Sequence, residues 1–311
     1  LSQIARKYNR IQKYALYDDV NSDGQSTSVN FAMDPDSEEA RNVVVHKLGL
    51  TEQQLKQLSQ LAQLVVGWNE RINLISRRDC SVEVVFGRHI LPSLGLLKVT
   101  DSSWQPGTKV VDVGTGGGFP GLPLAIALPN VNFLLVDSVG KKLKVVEEIA
   151  DTLALDNLST HNGRAEEMAE NSPIKHRNAY DVCVGRSVTT IPRFCFWIQD
   201  LLKCSKGEGD EGKLMYIIGG DIEREILDQT LADESIEELL GQPGASDKRI
   251  LVFDQPRVQA IANHSGEVNQ QGRTHRGGGV NRQNKKAKGA WTKRDNATPK
   301  QRGYDDFQRY G

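Results

Sequence analysis

The sequence predicts an α/β protein built on a mainly parallel sheet with helices on both faces. Two observations carry this. Short β-branched runs alternate with amphipathic helical stretches from Lys109 to Phe253, the pattern of repeated βαβ units. The first run ends in Asp112-Val-Gly114-Thr-Gly116-Gly-Gly118-Phe119-Pro-Gly121, a glycine-rich turn leading into a helix, which in open α/β sheets lies at the ligand-binding edge.

The elements follow in order. Residues 18–40 are polar, with Asn-Ser-Asp-Gly and Asp-Pro-Asp, and read as a linker. Thr51 precedes Gln54 at capping-box spacing. Leu55, Leu58, Leu61, Ala62, Val65 and Val66 recur at three and four, giving one apolar helical face. A second helical stretch covers 80–97, and Pro106-Gly107 ends this part. Strands are expected at 109–113, 132–136, 158–161, 180–184, 213–218 and 249–253. Helices are expected at 120–128, 141–155, 165–170, 191–202 and 221–231. Beyond about Pro256 apolar periodicity stops. The domain expectation is a polar N-terminal extension (1–42), a small helical subdomain (43–105), a cofactor-binding domain (106–256) and a disordered basic tail (257–311).

Composition narrows the function. The 39 Lys/Arg nearly cancel the 40 Asp/Glu, but the charge is unevenly placed. Between Arg273 and Arg302 stand ten Lys/Arg and one acid, Asp295, leaving a body with a net charge of −10. An acidic body with a basic tail suits a nucleic-acid partner. The tail joins cations to Gly and Trp291, a mixture that follows phosphates and stacks on bases, and equally one that solubilises. The longest apolar stretch, Leu122 to Val136, is broken by Pro123, Pro129, Asn130 and Asn132, so no membrane span is expected. Cys80, Cys183, Cys195 and Cys204 form no C-x-x-C pair; buried reduced thiols and no metal site are expected. Residues 1–17 hold Arg6, Lys7, Arg10 and Lys13 and no acid, like the end of an organelle transit peptide or a frayed basic helix.

The glycine loop calls for a nucleotide-like cofactor. Glycines let the backbone approach a ligand, and the following helix directs free N–H groups at it. Gly116-x-Gly118-x-x-Gly121 also matches the dinucleotide fingerprint. Asp112, two residues before the first glycine, and Phe119 at the helix entry favour S-adenosyl-L-methionine, whose sulfonium and ammonium suit a carboxylate better than a pyrophosphate does. Asp137 at the end of the second strand suits ribose hydroxyls in either cofactor. The candidate cofactor residues are thus Asp112, Gly114, Gly116, Phe119 and Asp137.

At this point the sequence resembles a family. DVGTGGGFPGLPLAIALPN, LLVDSVGKKLKVVEEIADTLALDNL, GRAEEM and YDVCVGRSV, preceded by GWNERINLI and RHILPSL, resemble the bacterial 16S ribosomal RNA guanine-N7 methyltransferases, methyltransferase G (RsmG, also called GidB). The likeness runs from about Leu48 to Phe253. It implies a Rossmann-like class I methyltransferase fold, S-adenosyl-L-methionine as cofactor, and small-subunit rRNA or the small ribosomal subunit as partner, with guanine 527 in bacterial numbering as target. It adds Ala165 and Glu166 on the adenine side and Arg186 near cofactor and target base. Two positions depart from the family: its fifth-strand lysine is missing from Ile217-Ile218-Gly219-Gly220, and Pro92 stands where it has Asp. No catalytic residue is expected, because N7 carries a lone pair and no proton. A monomer is expected, cytoplasmic if bacterial and organellar if the N-terminus is a transit remnant. The rival functions are an NAD-dependent oxidoreductase and a non-catalytic ribosome-assembly factor.

Overall fold

The computed structural model describes residues 31–77, 80–99, 103–205, 211–241 and 248–263. The expected transit-like segment and nearly all of the basic tail lie outside the described residues. Seven strands form one sheet: β1 (Lys109–Val113), β2 (Asn132–Asp137), β3 (Leu158–Asn162), β4 (Val182–Arg186), β5 (Lys213–Gly219), β6 (Ala232–Ser235) and β7 (Lys248–Asp254). Their order is β3-β2-β1-β4-β5-β7-β6. The first five run parallel, while β7 pairs antiparallel with both β5 and β6. This is the expected Rossmann-like sheet. The order reverses at β1/β4, so the crevice for a ligand opens at the carboxyl ends of those strands.

β1, β2, β4 and β5 are buried along most of their lengths, which is why they read as apolar runs, whereas β3 at the sheet edge, Leu-Ser-Thr-His-Asn, has no fully buried residue. In β2, Phe133 and Leu135 belong to one core, whereas Leu134 and Val136 belong to the other. The first core holds the helices Glu52–Asn69, Gly121–Ala127 and Gly140–Thr152. The second holds Ala165–Asn171 and Ile191–Ile198.

The helix Glu52–Asn69 starts at Thr51 with both arms of the capping box formed. A cap of this kind contributes about 1 kcal/mol. Gln54 also donates to the carbonyls of Ile126 and Ala127 at 2.9 and 3.0 Å. It thereby satisfies the open end of a neighbouring helix. Leu55, Leu58, Leu61, Ala62 and Val65 are buried and share one core with Val110, Leu122 and Val184. The N-terminal helices therefore complete the sheet's own core.

Several expectations are corrected. The linker read over 18–40 includes folded chain: Met33 and Ala40 are buried, and the helical turn Glu38–Arg41 runs on through Asn42–Lys47. The boundary at 42/43 thus falls within helix; few apolar anchors mark that polar stretch. The helix read over 80–97 is Val82–Val85, a π-helical turn Phe86–Ile90, then Leu91–Leu94 and Leu96–Val99. A Cβ at Gly87 would lie 2.6 Å from the Phe31 carbonyl oxygen, so the chain at 31–33 crosses where only glycine fits. The helix read over 221–231 shrinks to Arg224–Leu227. The chain then becomes β6, an edge strand whose Ala-Asp-Glu-Ser has no β-forming residue; pairing with β7 and an Asp233–Arg249 ion pair hold it. The boundary at 256/257 falls inside a helix over 255–263 that buries Val258, Ile261 and Ala262. Cys183 and Cys195 are buried as expected, but Cys204 is exposed and Cys80 half-buried; all four are free. Among the described residues, no helix is long and apolar enough to cross a membrane and no group of three metal-ligating side chains occurs.

Candidate functional site

A cavity of about 220 Å³ opens at the carboxyl ends of β1 and β2. Its wall includes Val113, Gly114, Gly116, Val136, Asp137, Ser138, Lys142, Gly163, Arg164, Ala165, Val188 and Trp197. Of the residues chosen from the sequence, it brings together Gly114, Gly116, Asp137 and Ala165.

The glycine loop is held from both strands it adjoins. The N–H groups of Gly114 and Thr115 donate to the Val136 carbonyl, at 2.9 and 3.1 Å. Asp137 accepts from Gly116 N–H through Oδ2 (2.9 Å) and from Val139 N–H through Oδ1 (2.8 Å). A carboxylate offers about four lone-pair sites, so Asp137 keeps acceptor capacity toward the cavity. Two glycines have separate reasons. Gly114 has φ +74°, and a Cβ there would lie 2.7 Å from Val188 Cγ1. Gly116 has φ +59°, and its Cβ would meet no atom closer than 3.9 Å. Both sit at positive φ, which favours glycine; packing against Val188 adds a second reason at Gly114, and whatever fills the cavity adds one at Gly116.

Asp112 does not line the cavity. It is fully buried beneath the loop, where Oδ2 accepts from Thr115 Oγ1 at 2.7 Å and Gly121 N–H at 2.9 Å. Its Oδ1 is buried with no hydrogen-bond partner among the described residues. Burial pushes its pKa up to about 7, against the pull of these donors and of Arg186. Asp112 therefore shapes the loop from below.

Phe119, read as a cofactor wall, is also off the cavity. Its N–H donates to the Thr115 carbonyl, and the tight turn sends the ring to the helical side, where it is 3% exposed. It meets His89 there, with ring centroids 5.3 Å apart, and the Arg186 guanidinium lies 5.2 Å from the ring centroid. Arg186 Nη2 lies 2.6 Å from His89 Nδ1. Burial lowers the Arg186 pKa to about 10, which leaves it a cation at neutral pH. Glu166, at the start of the helix Ala165–Asn171, is half-buried and not on the cavity wall. The loop's helical side is fixed by Asn69, whose Oδ1 accepts from Leu74 N–H (2.8 Å) and Ile75 N–H (3.1 Å). Leu74 then abuts Gly117, where a Cβ would lie 3.1 Å from Leu74 Cβ.

Sequence reading missed Val188 and Trp197. The buried Tyr216 hydroxyl accepts from the N–H groups of Val188 (2.8 Å) and Thr189 (3.0 Å) and donates to the Thr189 carbonyl (2.8 Å). This clamp from β5 folds the turn after β4 so that Val188 reaches the cavity. Trp197 arrives on the helix Ile191–Ile198, with Arg193 5.4 Å from its ring centroid. Its place on an apolar helix gave no local signal. The two departures from the family pattern are also placed. Pro92 is buried in the helical turn Leu91–Leu94. Gly219, at the end of β5, is paired with Lys248, so a cationic residue stands beside the strand end that lacks its own.

Comparison with known proteins bears on this geometry. Residues 54–236 match the family described as rRNA small subunit methyltransferase G. Curated relatives named "Ribosomal RNA small subunit methyltransferase G" include one from Christiangramia forsetii, 41% identical over 183 residues, covering 59% of this chain and 81% of that protein. One from Flavobacterium johnsoniae is 41% identical over 58% of this chain and 80% of its own length. One from Bacteroides thetaiotaomicron is 39% identical over 57% and 81%. The match takes in the glycine loop, Asp137, Ala165, Arg186 and Trp197 together, and the chain belongs to the rRNA small subunit methyltransferase G family.

Proposed function

We propose that the chain transfers the methyl group of S-adenosyl-L-methionine to N7 of a guanine in small-subunit ribosomal RNA. The observation that carries this is the joint presence of Gly114, Gly116, Asp137 and Ala165 on one cavity wall at the switch point of the sheet. The residues suit the cofactor. Asp137 retains lone pairs for ribose hydroxyls. Ala165 and Trp197 offer apolar flanks for a purine, with Glu166 at the adjoining helix start. Gly116 leaves room where a side chain would stand. Asp112 and Arg186 act from behind this wall: Asp112 shapes the loop, and Arg186 packs on Phe119.

When bound, S-adenosyl-L-methionine supplies an electrophilic methyl on a sulfonium, and an acceptor with a lone pair and no proton, such as guanine N7, takes it without a base. The chain's work is then orientation and exclusion of water. Asp137 holds the loop through Gly116, Asn69 backs the loop through Leu74, and Tyr216 sets Val188. The basic tail adds phosphate contacts, and a cytoplasmic place beside the ribosome goes with this reading.

Calorimetric titration tests the cofactor. Saturable binding of S-adenosyl-L-methionine with no heat from NAD is expected. Binding of NAD alone would contradict the assignment.

A further inference from the structure

Cofactor binding leaves one polar cluster unused, on the helical side of the glycine loop. His89 sits on the π-helical turn Phe86–Ile90, a geometry often found at functional positions. Arg186 ends β4. A guanidinium only donates, so His89 Nδ1 is the acceptor in the 2.6 Å contact and the imidazole proton resides on Nε2. Nε2–H has no partner among the described residues. Arg186 is otherwise occupied by the Phe119 ring and by the Arg88 carbonyl at 3.4 Å.

The charged groups acting on His89 are Arg186, Arg88 and Lys248, all cations; with burial they hold its pKa well below 6.5. Asp112, beneath the loop, acts on Arg186. At neutral pH His89 is therefore an uncharged ring with one fixed tautomer and one uncommitted donor.

From this geometry we propose that the cluster receives the target guanine, with His89 Nε2–H donating to the base's O6. The proposal rests on the guanine-N7 reading above. Guanine presents N7 and O6 side by side as acceptors. An arginine would grip both and block the atom to be methylated. A single donor takes O6 and leaves N7 open. Adenine carries an amino donor at that place, so Nε2–H would face another N–H and reject it. The base becomes cationic on methylation, and a neutral imidazole tolerates this where a protonated one would repel it. His89 is in this sense a specificity residue, with Arg186 as the positioning residue that fixes its tautomer.

The test uses the full chain, labelled S-adenosyl-L-methionine, and small subunits reconstituted with rRNA carrying guanine or 2-aminopurine at the methylated position. 2-Aminopurine keeps N7 and lacks O6. Wild type is expected to lose at least about tenfold in kcat/KM on 2-aminopurine, as for a site donor left unpaired. His89→Ala is expected to fall similarly on guanine, to show no further loss on 2-aminopurine, and to bind S-adenosyl-L-methionine as before. His89→Gln, which keeps an N–H donor, is expected to recover most of the loss. Equal use of the two bases by wild type, or discrimination retained in His89→Ala, would overturn the proposal. The wild-type comparison decides even if a His89 variant does not fold. Failure of wild type to methylate guanine N7 at all would instead overturn the underlying reading.

Discussion

The two sides of the glycine loop are built differently. The cavity side is made from neighbours in sequence order: the loop after β1, the end of β2 and the turn after β3 supply Gly116, Asp137 and Ala165. The helical side is made from distant segments: Asn69 and Leu74 brace the loop, and His89 meets Arg186 across 97 positions. The first kind of site announces itself as a motif, because strand-turn-helix geometry demands particular residues at particular spacings. The second exists only after the N-terminal helices have packed on the sheet.

The largest effect on the cavity side is expected from Gly116→Val. A Cβ there clashes with no protein atom, so the fold should persist. A β-branched residue at φ +59° is strained, and its side chain would stand in the cofactor's path. S-Adenosyl-L-methionine binding by calorimetry should be lost; unchanged affinity in a folded variant would move the cofactor elsewhere.

Next comes the carboxyl group shared by both sides. Asp112 has its pKa raised from 3.8 to about 7 in the fold, so the folded chain binds a proton that the unfolded chain releases. Its contribution to stability is full below about pH 4 and declines as pH rises to about 7, on the order of 4 kcal/mol in all. Denaturant unfolding of wild type and Asp112→Asn at pH 5 and pH 8 should show wild type losing ground to the variant. Parallel profiles would mean that Asp112 is ionised throughout.

Asp137→Ala should cost less. It removes the carboxylate proposed to accept from the ribose, together with the Gly116 contact. Bonds to a charged group contribute about 1.5–3 kcal/mol, so affinity for S-adenosyl-L-methionine should fall at least about tenfold. A change within about twofold, well under one such bond, would place the ribose elsewhere.

These residues also show how much was legible in sequence. Strands 109–113 and 132–136 were plain because buried parallel strands are runs of Val, Leu and Phe. β6 was not, because Ala232–Ser235 owes its form to pairing with β7. Gly114, Gly116 and Asp137 line the cavity at the place where motif and strand end coincide. Phe119 lay in the same motif, yet a turn closed by the Thr115 carbonyl sends its ring to the other side. Trp197 and Val188 were missed because the clamp that delivers Val188 belongs to Tyr216, on the next strand.

The smallest effect on either side is expected from deleting residues 264–311. The helix over 255–263 stays in place, so cofactor affinity should not change. If about five tail cations meet single-stranded phosphates, the slope of log K for RNA against log salt should shrink by about 3.5. An identical slope would leave the tail a solubilising appendage.

The proposed reaction is methyl transfer to guanine N7 in small-subunit rRNA. Its most direct test is incubation of the full chain with labelled S-adenosyl-L-methionine and either assembled small subunits or naked rRNA, followed by mapping of the modified base. Label is expected on N7 of a single guanine, and none with Gly116→Val. Label on another base or another guanine atom, or no transfer to either substrate, would contradict it.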